Sequence, residues 1–164
     1  MEETIDRTEL LLRLERAYNR FRDAIAPLTE TELQTAGAAG KWSIQDLVAH
    51  FIVHEQAALC ELKHARRGER YQPAEQDTDR TNDLAVEEWA GYSSGYVLQA
   101  WEKSFRQVVA AVQGLHETDF DPAGALVQAL GDTIDGAFGN NTYGHYAEHF
   151  PSVEAWIHQQ KASR

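Results

Sequence analysis

The stretch Lys41-Trp42-Ser43-Ile44-Gln45-Asp46-Leu47-Val48-Ala49-His50-Phe51 carries the clearest helix-start signal in the chain. Ser43 followed three residues later by Asp46 resembles a capping box, with the shorter Asp in the Glu/Gln place. Each side chain can then satisfy an amide that the first helical turn leaves open. Trp42, just outside the cap, is placed to pack on Leu47 as a hydrophobic staple. Beyond the cap, Ile44, Leu47, Val48, Phe51, Ala58 and Leu62 recur at helical spacing and define one apolar face. Arg66-Arg67-Gly68 closes the segment: basic residues meet the negative end of the helix dipole, and a glycine can turn the chain.

The same reading extends outward. From about Asp6 to Ala26, Leu10, Leu11, Leu14, Ala17, Tyr18, Phe21 and Ile25 form an amphipathic stripe that Pro27 ends. Thr29 to Gly40, with Gly37 and Gly40, reads as a turn or loop. Glu69 to Asn82 is polar, holds Pro73 and several acidic groups, and reads as a long crossover loop. A third helical segment is expected from about Asp83 to Leu115, with Leu84, Trp89, Tyr92, Tyr96, Val97, Trp101, Phe105, Val108 and Val112 on its apolar side. Gly91 and Gly95 lie inside it and permit a bend or a close approach. His116 to Ala125 reads as a loop and Ala125 to Leu130 as a short helical piece. The fourth segment runs from about Ile134 to Lys161, with Pro151 expected to kink it or divide it into two abutting helices. Alternating β-branched runs are scarce. The expectation is an all-α, four-helix bundle with a long crossover between helices 2 and 3, one domain over residues 1–164.

The charge balance narrows the function. The chain carries 15 Lys and Arg against 26 Asp and Glu, a formal charge of −11. That balance speaks against a nucleic-acid or anionic-membrane partner, because phosphate contact needs clustered cations. No apolar run approaches the ~20 residues of a membrane span. The opening Met1-Glu2-Glu3-Thr4 lacks the basic and apolar regions of a signal peptide, so a cytoplasmic protein is expected. One cysteine, Cys60, excludes an internal disulfide and a Cys-based zinc site.

The histidines carry the chemistry. His145 and His149 are four apart, so they project from one helical face. That face also holds Phe138, Thr142, Val153 and Trp156, an apolar stripe on which unpaired imidazoles are costly. An i, i+4 pair is the spacing with which one helix supplies two ligands to one metal. A third ligand has to come from a facing helix, and His50 and His54 are the candidates. At about 100° per residue from Leu47, His50 falls roughly 60° and His54 roughly 20° to the same side, so both lie near the inward face. His50 with His54 also has ligand spacing. Imidazoles select a divalent transition metal of the Zn, Ni or Fe class over magnesium or calcium. Three of them with an open position would make a catalytic site. The bland alternative is a set of histidines packed and satisfied in a core.

Other residues are weaker. His145-Tyr146-Ala147-Glu148-His149 matches the H-x-x-E-H pattern of inverted zincins, in which the glutamate is the general base. Those enzymes are much larger and need a further downstream ligand. Glu148 remains a candidate proton-transfer group, against the alternative of a solvated helix-face carboxylate. Cys60 reads as a small buried hydrophobe rather than a nucleophile. Trp42, Trp89, Trp101 and Trp156 read chiefly as core, and His64, His116 and His158 as surface or helix-end residues.

Lys41 to Phe51 resembles the second-helix motif of the DinB-like superfamily. Asn141-Thr142-Tyr143-Gly144-His145-Tyr146-Ala147-Glu148-His149-Phe150, followed by Trp156-Ile157, resembles its last-helix motif. In particular it is similar to the ClbS/DfsB branch, where a Thr-Tyr-x-His-Tyr-x-x-His string is common. The resemblance implies a four-helix bundle and a divalent metal held by one histidine of helix 2 and two of the last helix, here His50, His145 and His149. His54 then becomes a neighbour that can line the pocket. Relatives include homodimers, thiol-dependent isomerases and transferases, and a resistance protein that opens a reactive cyclopropane on a genotoxin. The implied function is that of a metal-dependent hydrolase or thiol S-transferase acting on a small reactive molecule in stress or detoxification. His50, His145 and His149 would be the metal ligands, with Glu148, His54 and Tyr146 as candidate catalytic residues. The competing reading is a non-catalytic bundle that binds and sequesters a small molecule without metal.

Overall fold

The computed structural model describes residues 5–164; Met1–Thr4, the stretch read as no signal peptide, lies outside the described residues. Four long helices make a bundle: α1 (Arg7–Ile25), α3 (Ile44–Ala65), α5 (Ser94–Gln113) and α8 (Tyr143–Ala162). Shorter pieces connect them: α2 (Glu30–Leu33), α4 (Thr78–Trp89), a 3-10 turn (Glu117–Phe120), α6 (Ala125–Leu130) and α7 (Ile134–Gly139). Among the described residues the only β-type pairing is an isolated bridge between Ala39 and Trp42. α3 packs on α5, α5 on α1, α1 on α8, and α8 returns to α3, closing the ring. None of these helices is long and apolar enough to cross a membrane.

The caps explain where the helices begin. Asp6 accepts from the Glu9 amide at the start of α1. The Ser43–Asp46 box forms in both directions, at 3.1 and 3.0 Å. Apolar stripes then supply the core, with Tyr18 stacked on Phe105 at 4.0 Å and Phe21 edge-on to Phe51 and Trp101.

Three expectations are corrected. The Thr29 to Gly40 stretch is not all loop, since Thr29 and Glu32 form a capping box around the one-turn α2. The third segment does not run unbroken from Asp83. Asp77 caps a helix that begins at Thr78, shortening the crossover loop. The chain then turns over Ala90–Ser93 before Ser93 caps α5. Buried Gln45 pins that turn, donating to the Tyr92 carbonyl at 2.9 Å and accepting from the Ser94 hydroxyl at 2.6 Å. Last, Pro151 does not divide the fourth segment. It sits exposed inside a continuous α8, and the division falls at Asn140–Thr142, where Thr142 has φ −136 and ψ −107. Gly136, Gly139 and the Asn140-Asn141 pair are poor helix formers, and the backbone turns there.

Candidate metal centre

α3 and α8 face each other where His50 and His145 meet, Nε2 to Nε2 at 2.7 Å. His149, one turn along α8, completes a group whose candidate ligand atoms all lie within 4.8 Å of one another. Capping fixes the register: Ser43 sets where α3 starts, and the turn before Tyr143 sets the face of α8 that carries both its histidines. His50 and His145 are buried at 4% and 7% exposure, whereas His149 is half-buried, so the group is closed on the core side and open on one other. Phe51 and Trp42 wall it, with ring centroids 5.3 Å from His145 and 5.0 Å from His50.

Burial sets the charge state. It is the leading cause that pushes His50 down to about 3 and His145 down to about 2, with the neighbouring histidines adding repulsion. Burial likewise lowers His149, against the pull of Glu148. All three are held neutral, the form that ligates a metal. Two ligands about 2.1 Å from a tetrahedral metal stand about 3.4 Å apart, so the 2.7 Å contact has to open by less than an ångström to admit one. Nδ1 of both His50 and His145 is buried without a partner. Metal-bound histidines ordinarily donate from that second nitrogen, and no side chain of the described residues accepts here. The donor set of three neutral imidazoles therefore fits a transition metal, although its outer support is thin.

Residues 13–150, from the second turn of α1 to the middle of α8, match the DinB superfamily. The chain belongs to the DinB superfamily. Solved structures agree on the fold at low identity. The sibling lethal factor precursor DfsB superposes with a TM-score of 0.83 at 12% identity, over 96% of this chain and 98% of that one. An uncharacterised protein from Escherichia coli UTI89 gives 0.79 at 12% identity, over 95% of each chain. The colibactin self-resistance protein ClbS, in complex with a dsDNA, gives 0.77 at 12% identity, over 92% of this chain and 94% of that one. No curated protein matches the sequence.

Within this DinB frame the other candidate residues take different places. His54 packs its ring 4.4 Å from His50 and 4.5 Å from His145 but lies outside the three-ligand group. Asn141 donates to the Ala137 carbonyl at 3.0 Å, which turns its oxygen to His54 Nδ1, 3.2 Å away. An amide oxygen only accepts, so Nδ1 bonds Asn141 only when it carries a proton. Nε2 faces the Asn82 amide oxygen at 3.3 Å, so both ring nitrogens of His54 lie against acceptors. Glu148 is exposed and bears on His149 only as a nearby charge. Tyr146 is not beside the ligands: its ring packs on Phe51, Phe21 and Trp101, and its hydroxyl donates to Glu55. Of the remaining histidines, His116 and His158 are exposed and His64 is tied to the Cys60 carbonyl at 2.8 Å; Cys60 itself is half-buried.

Glu55 is absent from the sequence reading, Asn82 enters it only as the end of the crossover loop, and Asn141 only as the first residue of the last-helix motif. Glu55 is wholly buried and accepts from Trp101 Nε1 at 2.9 Å. Its position was the signal, an acid four residues after Phe51 and three before Ala58 on the apolar face of α3. The two asparagines carried no comparable signal, since they reach His54 from turns and from α4.

Proposed function

We propose that His50, His145 and His149 hold a divalent transition metal of the Zn, Ni or Fe class and that this DinB protein is an enzyme acting on a small reactive molecule. The observation that carries the reading is the convergence of three neutral imidazoles from two helices, closed toward the core and open beside His149. Such a metal supplies Lewis acidity, polarising a substrate oxygen or lowering the pKa of a water or thiol. The chain's own contribution is positional. His50 and His145 are locked by burial, and Phe51 and Trp42 keep water from the inner side. His54, held between Asn141 and Asn82, stands next to the ligands as a proton acceptor or donor. It serves that role better than exposed Glu148 or Tyr146, which is committed to Glu55. Hydrolysis and thiol S-transfer both suit this arrangement, and a stress or detoxification role suits a small reactive substrate. We further propose a single domain over residues 1–164, a cytoplasmic location and a homodimer.

The test is metal analysis of protein purified without a histidine tag. One metal per chain is expected, falling to background in His149→Ala. Stoichiometric metal retained in that variant, or none bound by the parent after incubation with zinc, nickel and ferrous iron, sinks the reading.

A second reading, a metal-free bundle that sequesters a small molecule, is favoured by one observation: 2.7 Å between His50 and His145 is the length of a direct N–H···N hydrogen bond. Following thermal unfolding with and without a chelator separates the two, because a ligand of the native state raises the midpoint by mass action.

A further inference from the structure

Beside the histidine cluster lies a polar cleft of about 400 Å³, walled by α3, the crossover, and the chain around α6 and α7. Glu61 enters it from α3, seven residues beyond His54. Arg70 and Tyr71 come from the crossover, and Asp132, Asn140 and Asn141 from the turns that flank α7. Asn141 belongs to both places: it lines the cleft and accepts from His54 Nδ1. Whatever fills the cleft thus lies one side chain from a histidine that packs on His50 and His145.

The charges of the cleft are present but not spent on one another. Neither Glu61, Asp132 nor Arg70 is ion-paired among the described residues. Glu61 is half-buried; burial first and then the charge of Asp132 push its carboxyl up, against the pull of His54. Two carboxylates thus line one cleft, Asp132 accepting from the Thr133 amide at 2.7 Å and neither paired with Arg70. Arg70 lies against the backbone of Gly131, where a Cβ would stand 2.9 Å from a guanidinium nitrogen. That residue has φ 72, so the glycine serves both the turn and the close approach. An acidic pole and a separate guanidinium within one small cleft call for a ligand that carries both charges. The volume is near the small end of the ~300–1,000 Å³ typical of ligand sites.

We propose that this cleft binds a compact zwitterion of dipeptide size, with its ammonium between Glu61 and Asp132 and its carboxylate on Arg70. A guanidinium is the donor best matched to a carboxylate, and the side chains of Tyr71 and Asn140 offer hydrogen bonds to the connecting amide. As a pocket for the substrate of the metal centre the cleft rests on the reading above; as a binding site it does not.

The test uses L-alanyl-L-alanine as probe, titrated by calorimetry and by amide chemical shifts, in protein treated with chelator. Saturable binding is expected, with shifts at Gly131 and Asn141. N-acetylation or C-terminal amidation of the probe should each weaken binding by roughly three- to tenfold. Glu61→Gln should erase the penalty of acetylation and Arg70→Ala that of amidation; both residues are solvent-accessible, so neither change threatens folding. No binding, capped probes that bind equally well, or shifts confined to another face overturn the proposal. Because metal is absent throughout, failure here leaves the metal centre standing, and loss of metal binding in His149→Ala leaves this result standing.

Discussion

Glu55 sets a chemical condition at the centre of the bundle. Its carboxyl is wholly enclosed, accepts from Trp101 and Tyr146, and keeps Oε2 without a partner. Burial pushes it up to about 7 from 4.5, against the downward pull of the polar groups of Ser104, Tyr146 and Trp101 around it. A carboxyl with a raised folded-state pKa stabilises the fold fully below pH 4.5, and that stabilisation is lost as pH rises through about 7. The loss is on the order of 3 kcal/mol, from a shift of that size in an enclosed group. Glu55→Gln keeps the acceptor and cannot ionise. Urea unfolding across this pH range should therefore show the parent losing stability relative to the variant, and parallel curves would refute the account. The contrast with the metal candidates shows what a sequence displays at this scale. His145 and His149 were legible because i, i+4 spacing places them on one face whatever the bundle does. Periodicity alone left the choice between His50 and His54 open, because both lie near the inward side of α3, and the selection of His50 came only from the family resemblance. In the structure the pairing of α3 with α8, at 2.7 Å between His50 and His145, separates them physically.

Helices with a side-chain cap and a sustained apolar stripe were legible from sequence, and those set by tertiary contacts were not. Asp6 and Ser43 cap α1 and α3 where the residues indicated; the short Ala125–Leu130 piece also forms where expected, though no side chain caps it. Gly91 and Gly95 allowed a bend in the third segment, but the full break before α5 was hidden because the apolar stripe runs through it. What halts the helix is Gln45, reaching from α3 to the Tyr92 carbonyl. In the fourth segment Pro151 drew attention as the local helix breaker, yet it sits exposed. The break falls earlier, where Gly144 passes so close to the preceding turn that an added Cβ would stand 2.8 Å from the Gly139 carbonyl oxygen. A backbone atom gives way poorly, so Gly144→Ala should destabilise by about 1–3 kcal/mol despite the better helix propensity of alanine. It should also weaken metal binding, because Gly144 precedes His145. Gly95, with nothing within 4 Å of its added Cβ, is the control: Gly95→Ala should be neutral or stabilising. Equal denaturation midpoints for the two variants would refute the close-approach argument.

Over the whole molecule, the formal charge of −11 first bears on the partner. A solved structural neighbour, ClbS, is in complex with a dsDNA, but at 12% identity the likeness concerns the fold. The clearest basic grouping here is Lys63, Arg66 and Arg67, and Arg66 already lies 4.0 Å from Asp119. Duplex DNA at physiological salt should therefore show no salt-dependent affinity in a fluorescence-anisotropy titration, and a steep salt slope would overturn that. The same count assumes neutral histidines, and acid changes it. His50 and His145 are held at about 3 and about 2 and His149 is also lowered, all below the 6.5 that an unfolded chain restores. The unfolded state then binds more protons, so the stabilisation is present above pH 6.5 and is lost as pH falls through the folded values. Glu55 works in the opposite direction between pH 4.5 and 7, but it is one group against three. Metal-free protein should accordingly lose stability on acidification from pH 6.5, with a slope steeper than one proton. Replacing both His50 and His145 with Gln should flatten that slope toward the behaviour of Glu55 alone. A slope unchanged by the double replacement would place the acid sensitivity elsewhere in the bundle.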